Sequence, residues 1–171
     1  MKIPVALYMG ILGGGKTSQI RRDLLGGAFS DRSRLLLIQC EDGEVRLDDD
    51  FLREHRVSRA FVLDPRMYTR THLAALAEEA QADGVILENQ GIWPLQVLLR
   101  ELPREWEIRS AVFCADATAF QQEFQNMDRL MAEKIRVSQK LLFHSAAKQA
   151  QGQLRAMLTM FQGRTEICFL P

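Results

Sequence analysis

The chain has 171 residues, 47% of them hydrophobic, which is the size of one domain with one sizeable core. Lysine plus arginine and aspartate plus glutamate both number 22, so the formal charge is zero and no basic excess points to nucleic acid or an anionic membrane. Cys40, Cys114 and Cys168 are far apart, with no CxxC, which argues for reduced thiols rather than a disulfide framework. No apolar run reaches spanning length and Met1-Lys2 leaves no room for a signal peptide, so the expectation is a cytoplasmic, soluble protein.

Taken in order, short apolar runs alternate with amphipathic segments, the pattern of a parallel sheet with crossover helices. The first run, Val5 to Met9, breaks into glycines and ends in Gly15-Lys16-Thr17-Ser18, followed by a helical run from Gln19 to Leu25. Leu35 to Ile38 reads as a second buried strand, and Glu41, Asp42, Glu44, Asp48, Asp49 and Asp50 form an acidic turn after it. Ala60 to Leu63 reads as a third strand. Leu73, Leu76, Ala77 and Ala80 mark the inner face of the next helix, which stops at Asp83-Gly84. Val85 to Glu88 is a strand ending on a carboxylate. A helix is expected from Ile92 to Leu102, with Pro94 in its first turn and Pro103 after its last. Ile108 to Ala115 is a strand, Phe120 to Ile135 one long helix, Leu141 to Phe143 a strand, and Ala146 to Phe161 a last helix stopped by Gly163. Ile167 to Leu170 closes the sheet. The expected fold is a three-layer α/β domain over residues 1–171, with a mostly parallel sheet and P-loop NTPase topology.

The stretch from Gly10 to Thr17 satisfies GxxxxGK[ST], between a strand and a helix as the mechanism requires. Gly10, Gly13, Gly14 and Gly15 let successive N–H groups turn inward as a phosphate cradle at a helix N-terminus, with Ser18 at its edge. Lys16 is expected to face solvent in the empty loop and to reach the terminal phosphates, and the Thr17 hydroxyl to take a position on Mg²⁺. A second acid at the end of a core strand is needed to order the Mg²⁺ shell or the attacking water, and Glu88 is placed for it, with Glu41 as the alternative. The acidic turn reads three ways: a hard-cation site, a moving switch loop, or solvated surface. Cys40 beside it lacks a second soft ligand, and His55, His72 and His144 are isolated, without metal-ligand spacing.

In order along the chain, Gly10-Ile11-Leu12-Gly13-Gly14-Gly15-Lys16-Thr17-Ser18, Glu41-Asp42-Gly43-Glu44-Val45, Glu88-Asn89-Gln90-Gly91 and Asp116-Ala117 resemble the GTPase domain of CobW-type proteins. That family belongs with the nickel-insertion GTPases of hydrogenase and urease maturation. The resemblance implies that Lys16 and Thr17 take phosphate and Mg²⁺, that Glu41 lies in the first switch, and that Glu88 and Gly91 lie in the second. Three departures stand out. Leu63 to Thr69 occupies the place of the family's CxCC metal motif, His144-Ser145-Ala146-Ala147 stands where the guanine-reading NKxD belongs, and the usual C-terminal domain has no counterpart in these residues.

The leading expectation is a slow hydrolase of GTP or ATP, with Mg²⁺, acting as a switch or metallochaperone-like partner for a metalloprotein or cofactor enzyme, or as a homodimer. Two alternatives stay open: a partner-binding module with a degenerate nucleotide site, and a small-molecule kinase. Against the kinase, the chain has no arginine-rich lid segment.

Overall fold

The computed structural model describes residues 2–161 and 165–170. Seven strands form one sheet in the order β3-β2-β4-β1-β5-β6-β7, every pairing parallel. The strands are β1 (Ile3–Met9), β2 (Leu35–Gln39), β3 (Val57–Phe61), β4 (Gly84–Glu88), β5 (Trp106–Asp116), β6 (Lys140–His144) and β7 (Glu166–Phe169). Between them lie α1 (Lys16–Leu25), α2 (Asp49–Glu54), α3 (Arg70–Glu79), α4 (Leu95–Glu101), α5 (Phe120–Asn126), α6 (Asp128–Val137) and α7 (Lys148–Met157). A 3₁₀ turn, Leu158–Phe161, extends α7.

The period-2 alternation of strand side chains divides the core into two layers. On β1, Val5, Leu7 and Met9 join the larger cluster with Leu73, Leu98, Met131 and Leu154, while Ala6 and Tyr8 face Ile20 and Leu24 of α1 and Phe51 of α2. The central strands β2 and β4 are buried at every residue, as a sheet covered on both faces requires. β1 sits between β4 and β5, so the loop leaving its carboxyl end lies where the strand order reverses, at the crevice where open α/β sheets bind ligands.

Five of the differences from expectation concern the elements around the sheet edge and the helices. The third strand is Val57–Phe61 rather than Ala60 to Leu63; it is the sheet edge, so it carries the polar Ser58 and Arg59 instead of running apolar, and Leu63 is exposed. The acidic turn contains α2, whose Asp48 cap accepts the Phe51 N–H at 2.7 Å, with Asp49 and Asp50 in the first turn favouring the helix dipole. The helix expected from Ile92 starts at Leu95, with Pro94 outside it as the N-cap. The long helix breaks at Met127 (φ −134°, ψ 38°) between Asn126 and Asp128, residue types that favour helix ends. The last helix is α7 plus the 3₁₀ turn, and its expected stop, Gly163, lies outside the described residues. Among the described residues no helix is long and apolar enough to cross a membrane.

Candidate functional site: the loop after the first strand

The loop from Gly10 to Gly15 joins β1 to α1, and its glycines have different reasons. Gly15 is the N-cap of α1 at φ 86°, and a Cβ there would also lie 2.6 Å from the His144 ring. Gly10 and Gly13 likewise have positive φ, but Gly14 does not. Gly14 is needed for space, because a Cβ would stand 2.7 Å from the Cys114 carbonyl oxygen of β5. No side chain caps α1, so the N–H groups of its first turn face the cleft without a protein acceptor from a cap residue.

Lys16 is buried, not solvent-facing as the sequence suggested. Its ammonium donates to the Gly10 and Ile11 carbonyls at 3.0 and 2.9 Å and is ion-paired with Glu41. The sequence could not show this, because the partner lies on the far side of β2 and arrives only when the sheet assembles.

Thr17 Oγ1 donates to Glu88 Oε1 at 2.5 Å, and Gln39 Nε2 donates to Glu88 Oε2 at 2.6 Å. β4 thus delivers Glu88 to the start of α1, and β2 delivers Gln39 from the neighbouring strand. Glu88 is 1% exposed, and burial pushes its carboxyl above its usual value, against the hydrogen bonds from Thr17 and Gln39 and the charge of Lys16, which pull it down. A hydroxyl beside a buried carboxylate is a hard oxygen donor set of the kind Mg²⁺ takes, so these residues fit that ion. Around them opens a cleft of about 540 Å³, lined by Leu12, Lys16, Thr17, Ser18, Glu41 and His144 among others.

The six acids after β2 do not gather. Glu41 turns to Lys16, Asp42 pairs with Arg46 at 2.7 Å, Asp49 with Arg59 at 2.5 Å and Asp50 with Arg53 at 2.6 Å, while Asp48 caps α2. Among the described residues no three His, Cys, Asp or Glu side chains come together as a metal-binding group. Cys40 is buried, and burial pushes its thiol up to about 12, so it keeps its proton at neutral pH.

Three contributors were not singled out from sequence as site residues. Gln39 ends an apolar strand and carries no motif. His144 ends β6 beside Gly15; its Nε2 is buried without a hydrogen-bond partner among the described residues, and its Nδ1 is 3.8 Å from Asp116 Oδ2. Lys134 on α6 is fully buried and donates to the Gly91 carbonyl. The only signal for Lys134 was a lysine one residue before Ile135 on an otherwise apolar face.

Fold and loop together define a P-loop nucleotide-binding α/β domain. The chain belongs to the CobW/HypB/UreG family, whose nucleotide-binding domain it matches over residues 4–167. No curated protein matches it in sequence. In structure it is similar to the Zn(II)-bound YjiA GTPase from E. coli (TM-score 0.62, 16% identity), covering 100% of this chain and 57% of YjiA. It is similar to the hydrogenase maturation factor HypB from Archaeoglobus fulgidus (TM-score 0.60, 15% identity), covering 96% of this chain and 81% of HypB. FlhF complexed with GMPPNP/Mg²⁺ also resembles it (TM-score 0.58, 13% identity), covering 98% of this chain and 65% of FlhF. The chain thus spans less than two thirds of YjiA and of FlhF.

Proposed function

We propose that the chain binds a nucleoside triphosphate with Mg²⁺, hydrolyses it slowly, and uses the bound state to signal to a protein partner. The observation that carries this is the junction of Thr17 with Glu88 at 2.5 Å. It brings the first hydroxyl of α1 and the terminal acid of β4 to one point beside Lys16, where a triphosphate and its cation would be held. Family membership supports the same reading, and the GTPase descriptions of YjiA and the Mg²⁺–nucleotide complex of FlhF extend it by analogy.

Catalysis would be chiefly positioning and charge stabilisation. The loop N–H groups hold the phosphates, Lys16 neutralises charge on the terminal oxygens, and Glu88 orients whatever oxygen ligands lie beyond Thr17. Mg²⁺, which Thr17 and Glu88 would hold, would supply Lewis acidity that offsets the charge of the phosphate oxygens. The partner role draws support from Leu12, Val45 and Ile92, exposed apolar side chains on the three segments that a nucleotide would touch. Cytoplasmic residence belongs to this proposal, and so does a nucleotide that is either GTP or ATP. Ser145 and His144, in place of a base-reading carboxylate, give no direct reason to prefer guanine.

The test is a parallel titration of GTP and ATP analogues with Mg²⁺, repeated in EDTA. The expectation is saturable binding of at least one nucleotide that weakens when Mg²⁺ is removed. Absence of binding to both at millimolar concentration would refute the nucleotide reading and transfer the case to a partner-binding module.

A further inference from the structure

Two donors converge on the carboxylate of Glu41. One oxygen is ion-paired with Lys16 Nζ, and the other accepts the Gly91 N–H in a long contact of 3.4 Å. The pair is enclosed, with side-chain exposures of 2% for Lys16 and 10% for Glu41. Gly91 is itself held on the loop: a Cβ at this position would lie 2.8 Å from both the Gly10 oxygen and the Ile11 Cα, so no larger residue fits without moving backbone. From the other side, the buried Lys134 ammonium holds the Gly91 carbonyl. Gly91 is therefore held through both its N–H and its carbonyl, with the N–H turned to the anion that Lys16 also meets.

An ammonium and a fixed N–H, meeting the two oxygens of one carboxylate beside the uncapped start of α1, are the donors a phosphate group takes. We propose that Glu41 occupies the terminal-phosphate subsite and stands in for that phosphate while the loop is empty, so that Glu41 discriminates between nucleoside triphosphates and diphosphates. The inference rests on the nucleotide reading above. A diphosphate leaves the Glu41 contacts in place. A triphosphate brings a third phosphate to the same donors and must expel the carboxylate, because two anions cannot share one ammonium and one N–H. Glu41 begins a segment with no helix or strand before α2, so its expulsion moves residues 42–47 while Gly91 stays with the phosphate. Lys134 is a positioning residue in this scheme: it touches the Gly91 carbonyl, not the phosphate.

The experiment compares GDP with GMPPNP, and ADP with AMPPNP, by calorimetric titration in Mg²⁺ for the wild-type chain, Glu41→Gln and Lys134→Met, each checked for fold by far-UV circular dichroism. Glu41→Gln keeps the shape but loses the charge. The expected result is a triphosphate-to-diphosphate affinity ratio at least tenfold higher than wild type, with diphosphate affinity within about threefold. Lys134→Met should move the ratio the other way by a similar factor, through loss of triphosphate affinity alone. A ratio unchanged in Glu41→Gln, or an equal loss of both nucleotides, overturns the inference while leaving nucleotide binding intact. Binding of neither nucleotide by any of the three proteins overturns the underlying reading, and this inference with it.

Discussion

Lys134→Met should stabilise the protein at neutral pH. Burial, with the like charge of Lys16 second, pushes the Lys134 ammonium from 10.5 down to about 8. A depression of that size corresponds to roughly 3 kcal/mol that the charged form costs in the folded state below pH 8. Methionine is close in length and carries no charge, but it leaves the Gly91 carbonyl without its donor, a loss of roughly 1–2 kcal/mol. The net gain at pH 7 is then about 1–2 kcal/mol, or roughly 2–8 °C in Tm for a domain of this size. The pH dependence gives a sharper check. Because the folded-state value is depressed, the unfolded chain holds the proton longer between about 8 and 10.5, and wild-type stability contributed by this group rises across that window. Cys40 and Cys114 act in the opposite direction, since burial pushes both thiols from 9.0 up to about 12 and their contribution falls as pH rises between those values. Those thiols are common to both proteins, so the difference between wild type and variant isolates Lys134. Urea denaturation at pH 7, 8, 9 and 10 should show the variant's advantage nearly level to about pH 8, then shrinking and reversing near the top of the range. A variant less stable than wild type at pH 7, or an advantage constant from pH 7 to 10, would refute the reasoning.

Lys16→Ala should abolish nucleotide binding and also destabilise the empty protein by roughly 3 kcal/mol, because it leaves Glu41 enclosed without its cation; an unchanged denaturation midpoint would show that the ion pair contributes nothing. Glu88→Gln should raise Tm near neutral pH, where the buried carboxylate is held ionised against burial, and the gain should vanish as acid protonates the wild-type group. The same variant is expected to bind nucleotide and lose turnover, so hydrolysis at the wild-type rate would move the catalytic role from Glu88 to Glu41. Gly15→Ala places a Cβ at φ 86° and against the His144 ring, and should cost about 2 kcal/mol or more, read as a lowered urea midpoint. Cys40 should react with a neutral thiol reagent only at the rate of unfolding; fast labelling of the native protein at pH 7.5 would contradict its burial.

The two halves of the site differ in how far the sequence reveals them, and the reason is distance along the chain. The cradle is local: Gly10 to Thr17 is one continuous segment whose shape follows from glycine spacing, and the strand and helix beside it follow from hydrophobic period. Glu88 is legible for a related reason, since a carboxylate closing a fully buried apolar strand has few environments open to it. The charged contacts are not local. Lys16 meets Glu41 and Glu88 meets Gln39 because the parallel register sets Gln39 beside Glu88 and carries the end of β2 to the cradle. Nothing in the sequence near Lys16 distinguishes an ammonium that is solvated from one that is enclosed. Lys134 is the extreme case: its spacing on α6 is that of a core residue, which it is, and its chemistry depends on a backbone carbonyl in a different layer of the fold. A lysine whose burial works against stability, yet whose amine meets a glycine packed on the cradle backbone, has an arrangement better explained by what it holds in place than by any contribution to the core.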